Sequence, residues 1–155
     1  ALAQAKRNRR KLAILMLALD RFKHVNDTMG HHIGDIFLKM VAERIKTTLR
    51  QSDTIARMGG DEFSVLLPEI RLDTDAMDVA HKILDEFRKP FTYETKIIQS
   101  STSIGIAVYP EDGDEEDLLL KKADIAMYKA KELGRNNFKR YSTQFLAREE
   151  AAETH

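Results

Sequence analysis

The sequence predicts an α/β (α+β) fold in which helices flank a mostly antiparallel central sheet. Three observations carry this. Lys11 to Leu19 is almost wholly apolar, the mark of a strand buried on both faces. Ala56 to Pro68 reads as strand, tight turn, strand, with Phe63, Val65 and Leu67 alternating against Glu62, Ser64 and Leu66. Amphipathic helices alternate with these strands, but two hairpins stand where regular βαβ crossovers would otherwise be needed.

A chain of 155 residues, 43% hydrophobic and 32% charged, suits one globular domain with its own core. A formal net charge of zero argues against a general nucleic-acid or membrane binder. No nucleic acid and no direct membrane contact are therefore expected. The chain has no cysteine, which excludes disulfides and thiolate chemistry. Its longest apolar run, Leu12 to Leu19, is too short to span a bilayer. The expected compartment is the cytoplasm, in a parent protein that is free to be membrane-anchored.

In chain order, residues 1–10 read as a basic, solvated helix end (Lys6, Arg7, Arg9, Arg10). The first strand ends where Asp20-Arg21-Phe22-Lys23 leaves the sheet. Asn26-Asp27 and Gly30 to Asp35 read as polar, glycine-punctuated loop. The next helix shows Ile33, Ile36, Phe37, Met40, Val41, Ile45 and Leu49 on one face. Asp53 to Arg57 leads into a hairpin whose turn is expected at Gly59-Gly60, since glycine accepts the positive φ of tight turns. Asp73 to Phe87 is a second amphipathic helix, with Ala76, Val79, Ala80, Ile83, Leu84 and Phe87 inward. A short hairpin is expected around Glu94-Thr95. Ser101 to Tyr109 alternates Ile104, Ile106 and Val108 with small residues, so it predicts a strand closely packed on one face. Leu119, Ala123, Ala126, Met127, Ala130 and Leu133 make the next helix face, with Gly134 as its stop. Phe138 to Tyr141 is a last short strand. The acidic, alanine-rich tail, 142–155, reads as a helical lead or linker toward a further domain.

This layout lets the end of the first strand lie beside the tip at residues 59–62. Asp61 and Glu62 then stand at a hairpin tip that two glycines leave open, a natural place to hold a metal ion against phosphates. An ordinary hairpin with solvated acids fits the same residues.

Gly59-Gly60-Asp61-Glu62-Phe63 resembles, letter for letter, the signature of the GGDEF family of diguanylate cyclases, enzymes that condense two GTP into cyclic di-GMP. The resemblance extends over roughly residues 11–141. Asp20 to Asp27 resembles the family's D-x-F-K-x-x-N-D segment, Gly30 to Asp35 its G-H-x-x-G-D segment, and Ala123 to Asn136 its closing helix; Arg57 precedes the signature, as in the family. The implied fold is the cyclase and polymerase palm, a five-stranded sheet flanked by helices, over residues 1–141.

The resemblance also implies roles. Asn26 and Asp35 would hydrogen-bond guanine, and Leu38 would wall the base pocket. The backbone at Arg21, Phe22 and Lys23 would cradle the terminal phosphates, which Lys23, Lys131 and Arg135 would neutralise. Gly59 and Gly60 would open the tip. Asp61 and Glu62 would serve the 3′-hydroxyl, and Asp61 with the Leu19 backbone carbonyl would hold divalent ions, Mg²⁺ or Mn²⁺. Each domain would bind one GTP, so a homodimer would be the catalyst. Arg50 and Asp53 match the family's inhibitory R-x-x-D pattern, which implies product binding by cyclic di-GMP.

Two departures stand against this. The family's metal-ligand aspartate two residues before Asp20 is Ala18 here, and alanine cannot coordinate a cation. Asp20 points to the same face but lies about 7 Å further along the strand. The family's opening L-T-G-L-x-N-R segment is also absent, and the tail resembles a connector to a phosphodiesterase domain, so sensory and phosphodiesterase partners are expected in the parent. The alternative to a cyclase is a catalytically weak or inactive GTP- or cyclic di-GMP-binding regulatory module.

Overall fold

A computed structural model describes residues 1–142. The tail expected to be a helical lead therefore falls outside the described residues from position 143 onward. The elements run α1 (Leu2–Asn8), β1 (Lys11–Asp20), α2 (Phe22–Met29), α3 (His31–Lys46), β2 (Thr54–Gly59), β3 (Glu62–Ile70), α4 (Asp73–Glu86), β4 (Phe91–Tyr93), β5 (Lys96–Ile98), β6 (Ser101–Tyr109), α5 (Glu116–Glu132) and β7 (Asn137–Arg140). The central sheet has five strands in the order β2-β3-β1-β6-β7, and β4-β5 forms a separate small hairpin. All pairings in the central sheet are antiparallel except β6 with β7.

Strand β1 sits at the centre, and its side chains divide by parity, as strand geometry requires. Ala13, Leu15, Leu17 and Leu19 join the larger core with Phe37, Val41, Phe63 and Ile104. Leu12, Ile14, Met16 and Ala18 join a second cluster with Leu119, Ala123 and Met127 of α5. The near-continuous apolar run in the sequence thus reports two cores, one on each face of the strand.

The small residues of β6 set how closely α5 approaches. A methyl group placed on Gly105 would lie 2.0 Å from the Ala123 carbonyl oxygen and 2.2 Å from the Met127 nitrogen. Helix backbone therefore rests directly on strand backbone, and only glycine leaves the room.

Two expectations need correction. The polar stretches at Asn26-Asp27 and Gly30–Asp35 are not loop. They form α2 and the first turn of α3, with Gly30 (φ 90°, ψ 159°) as the break between them. Val25 and Ile33 are buried there, and this tertiary packing overrides the weak helix propensity of Asn and Asp. The hairpin turn is also one residue later than expected. Gly59 pairs with Glu62, and Gly60 and Asp61 make the turn. The register shifts between Arg57 and Gly59, so Met58 is the extra residue. The buried side chain of Phe63 fixes the parity of β3, and the turn must adjust to it.

Gly105→Ala is expected to cost about 2–3 kcal/mol of unfolding free energy, because backbone on both sides must move. Urea denaturation should show a lower midpoint with an unchanged slope. An unaltered midpoint would mean that α5 does not rest on β6 in solution.

Candidate functional site

The candidate site lies at the end of the sheet where β1 stops. Ala18 is opposite Glu62 on β3 and opposite Ser103 on β6. The Leu19 N–H donates to the Asp61 carbonyl at 3.0 Å, which ties the hairpin turn to the central strand. Arg57 reaches back along the turn and donates from Nε and Nη2 to the Gly60 carbonyl at 3.2 and 2.9 Å. The tip is thus held from two sides, yet nothing lies within 4 Å of a methyl placed on Gly59 or Gly60. The sequence expectation that these segments adjoin is met.

Glu62 faces α5, on the same side of the sheet as Ala18. Burial raises its carboxyl pKa above the ordinary value, the neighbouring Asp124 and Asp61 raise it further, and Lys131 opposes them. Negative charge is in excess here. Asp124 was given no role from the sequence. It is two helical turns before Lys131 on α5, and that spacing, which puts both on one helix face, was the available signal.

Past Asp20 the chain turns sharply through Arg21 (φ 64°, ψ 24°) into α2, whose N-terminus has no side-chain cap. The first amides of a helix have no partner within it, so Phe22 and Lys23 offer donors for an anion. The Phe22 ring itself packs inward, stacked on Phe37 at 6.4 Å. Arg21 and Lys23 are exposed.

Asn26 on α2 lies against Gly34 on α3. A methyl on Gly34 would be 1.9 Å from the Asn26 Oδ1, so glycine at this position is what lets the carboxamide lie between the helices. Asp35 follows, exposed, while Leu38 is buried beneath. Lys131 in the last turn of α5 is half-buried, and Arg135 beyond it is exposed.

Asp20 is not available to replace the carboxylate missing at position 18. It is 5% exposed and accepts from Ser101 Oγ at 2.6 Å, Ser103 Oγ at 2.8 Å and the Asn136 N–H at 3.1 Å. Ala18 is itself fully buried beside Ala123 and Met127. Among the described residues no three His, Cys, Asp or Glu side chains are grouped to hold a metal ion. Asp61, Glu62 and the Leu19 carbonyl are oxygen donors, the chemistry that a hard cation such as Mg²⁺ takes together with oxygens of a bound phosphate chain.

Arg50 and Asp53 stand at the other end of β2, roughly 17 Å from the tip by strand geometry. The Asp53 side chain is only 1% exposed. Its Oδ2 accepts from the Arg50 N–H at 2.8 Å, closing the turn before β2. Arg50 Nη2 donates to the Glu69 carbonyl at 2.6 Å, and 61% of the Arg50 side chain remains exposed. A cleft of about 370 Å³ opens beside them, lined also by Arg71, Asp75 and Lys82.

The sequence profile of the family described as "Diguanylate cyclase, GGDEF domain" matches residues 1–137. MucR of Pseudomonas aeruginosa, a bifunctional diguanylate cyclase/cyclic di-GMP phosphodiesterase, is 49% identical over 89% of this chain and 20% of its own length. TpbB, a diguanylate cyclase of the same organism, is 43% identical over 88% of this chain and 32% of its own length. The crystal structure of the TpbB GGDEF domain superposes with a TM-score of 0.89 at 41% identity, covering 91% of this chain and 88% of that one. The GGDEF domain of DgcB from Caulobacter crescentus, solved in complex with c-di-GMP, gives a TM-score of 0.79 at 26% identity, over 89% of this chain and 82% of that one. This chain spans a fifth to a third of the length of the two curated relatives. No helix among the described residues is long and apolar enough to cross a membrane. A shared signature, a shared five-stranded sheet and a profile match over nearly the whole described chain have one meaning: the chain belongs to the GGDEF family of diguanylate cyclase domains.

Proposed function

We propose that this domain binds GTP as one half-site of a diguanylate cyclase, and that its condensation step is crippled at Ala18. The observation that carries the second part is the engagement of Asp20. Its three hydrogen bonds leave no carboxylate to stand in for the missing ligand.

Asn26 and Asp35 read the guanine edge. A carboxylate accepts from N1–H and the 2-amino group together, a donor pair that adenine lacks. Leu38 forms the apolar floor. The amide N–H groups at the start of α2 donate to the phosphate chain, with Lys23, Lys131 and Arg135 supplying positive charge. A divalent ion, Mg²⁺ or Mn²⁺, supplies charge neutralisation at the phosphates when bound. Asp61 and Glu62 hold the open tip acidic, near the place where a second nucleotide presents its 3′-hydroxyl. In the complete reaction the 3′-hydroxyl of each GTP gives up its proton and its oxygen attacks the α-phosphorus of the other, both α–β bridging bonds break, and two pyrophosphates leave. Two domains must face each other for this, so the active species is a homodimer. Loss of the carboxylate at position 18 leaves nucleotide binding to the residues above and removes charge where the transition state needs it.

Arg50 offers a second guanine-binding group, since a guanidinium meets O6 and N7 bidentately. We assign this face to cyclic di-GMP, with Asp53 holding the turn that presents Arg50. The parent protein is read as a multidomain regulator in cyclic di-GMP signalling, with sensory and phosphodiesterase partners and a cytoplasmic site of action.

Ala18→Asp is expected to produce cyclic di-GMP from GTP and Mg²⁺ at least about a hundredfold faster than the unaltered chain. In the metal-free protein the added buried carboxylate should lower the melting temperature, and Mg²⁺ should restore it. Equal turnover by both chains, read by chromatography, would refute the lesion. Gly34→Ala should push the Asn26 carboxamide aside and weaken GTP about tenfold, with little change in the weak binding of ATP. Retention of full GTP affinity would remove Asn26 from the guanine pocket. Arg50→Ala should abolish cyclic di-GMP binding by calorimetry while leaving GTP affinity unchanged; loss of both would show that the two sites are one.

A further inference from the structure

Asp20 does more than close off a replacement ligand. It is the last residue of β1, and its buried carboxylate touches two segments far apart in the sequence. Oδ2 takes the Ser101 hydroxyl at 2.6 Å and the Asn136 N–H at 3.1 Å; Oδ1 takes the Ser103 hydroxyl at 2.8 Å. Arg135 Nε lies 4.0 Å from Oδ1. The pairing of β1 with β6 is continuous from Leu12↔Tyr109 to Asp20↔Ser101, so the sheet is joined there without this carboxylate. The contact that the sheet does not supply is the one to Asn136.

That contact falls on a strained turn. Between α5 and β7 the chain passes through Gly134 (φ 111°), Arg135 (φ 62°) and Asn136 (φ 50°) in succession. Two non-glycine residues in the left-handed region persist only where the surroundings hold them. Within the turn, Arg135 N–H donates to the Ala130 carbonyl at 3.1 Å, and Asn137 Nδ2 donates to the carbonyls of Ala130 and Arg135 at 2.9 and 2.8 Å. Of these bonds and the one to Asp20, only the last reaches across to β1. There it meets the point where Arg21 turns the chain into the uncapped start of α2. The turn carries Arg135, whose side chain is 58% exposed. At 4.0 Å from Asp20 the guanidinium is oriented without being hydrogen-bonded, and so is free to meet a ligand.

We infer that Asp20 is a positioning residue for the triphosphate: it clamps the α5–β7 turn against the start of α2, so that Arg135 and the α2 amides converge on one chain of phosphates. This rests on the GTP reading above. Asp20 touches no nucleotide and acts through Arg135 and the turn.

The test is calorimetric titration of the full chain with GTP and, separately, with guanosine, both in Mg²⁺. Asp20→Asn removes the negative charge that orients Arg135 and one of the two acceptor oxygens of the clamp. It is expected to weaken GTP about tenfold and guanosine by less than about twofold. Ser101→Ala, a milder change that leaves two of the three bonds, should weaken GTP by a smaller factor with the same selectivity, and it serves if Asp20→Asn does not fold. Asp20→Asn combined with Arg135→Ala should bind GTP no more weakly than Arg135→Ala alone. Full GTP affinity in Asp20→Asn would overturn the inference. So would equal losses for GTP and guanosine, or losses that add in the double variant. Failure of the unaltered chain to bind GTP would refute the functional reading itself, and this inference with it.

Discussion

The hydrogen bond from the Leu19 N–H to the Asp61 carbonyl is the constraint on which the site depends. It joins a hairpin turn to the end of the central strand and so decides what the sheet presents there. Strand β1 is buried on both faces, so its register cannot slip without moving apolar side chains out of one core and into another. With the register fixed, Ala18 must face Glu62, and Asp61 must stand in the turn beside Leu19. The chemistry at the tip is thus positioned by packing that takes no part in it.

The same packing makes Ala18 consequential. Its neighbours on α5 close over the small side chain, while Glu62, Asp61 and Asp124 leave that end of the sheet rich in negative charge. A carboxylate at position 18 would add to this charge and would need a cation beside it. Alanine adds no charge there. A small apolar residue facing clustered carboxylates favours stability, and the opposition of stability to chemistry is a familiar one at functional sites.

Glycines serve two different ends in this fold. At Gly105 and Gly34 the missing side chain allows close approach, of helix backbone to strand in one case and of a carboxamide to a helix in the other. At Gly60 the backbone takes a positive φ, and the space around it is open. The first use locks the scaffold, and the second keeps the tip accessible. The strained turn after α5 has no such freedom at Arg135 and Asn136 and is held by bonds instead, one of them from Asp20.

Much of this was legible in the sequence. The apolar run from Leu12 to Leu19 specified the doubly buried strand, and the alternation through Phe63, Val65 and Leu67 specified its neighbour, because side-chain period is set by backbone geometry alone. The spaced motifs from Asp20 to Asn136 pointed to the family. What the sequence misjudged was local: Asn26 and Asp35 lie on helices because buried Val25 and Ile33 outweigh the turn preferences of their polar neighbours, and the hairpin turn moved by one residue because Phe63 had to reach the core. What it left undecided depended on contacts between distant segments. Only the tertiary structure placed Asp124 beside Glu62, buried Asp53 under Arg50, and gave the Asp20 carboxylate to Ser101, Ser103 and Asn136, since a charge's partners are chosen by the fold and carry no period along the chain.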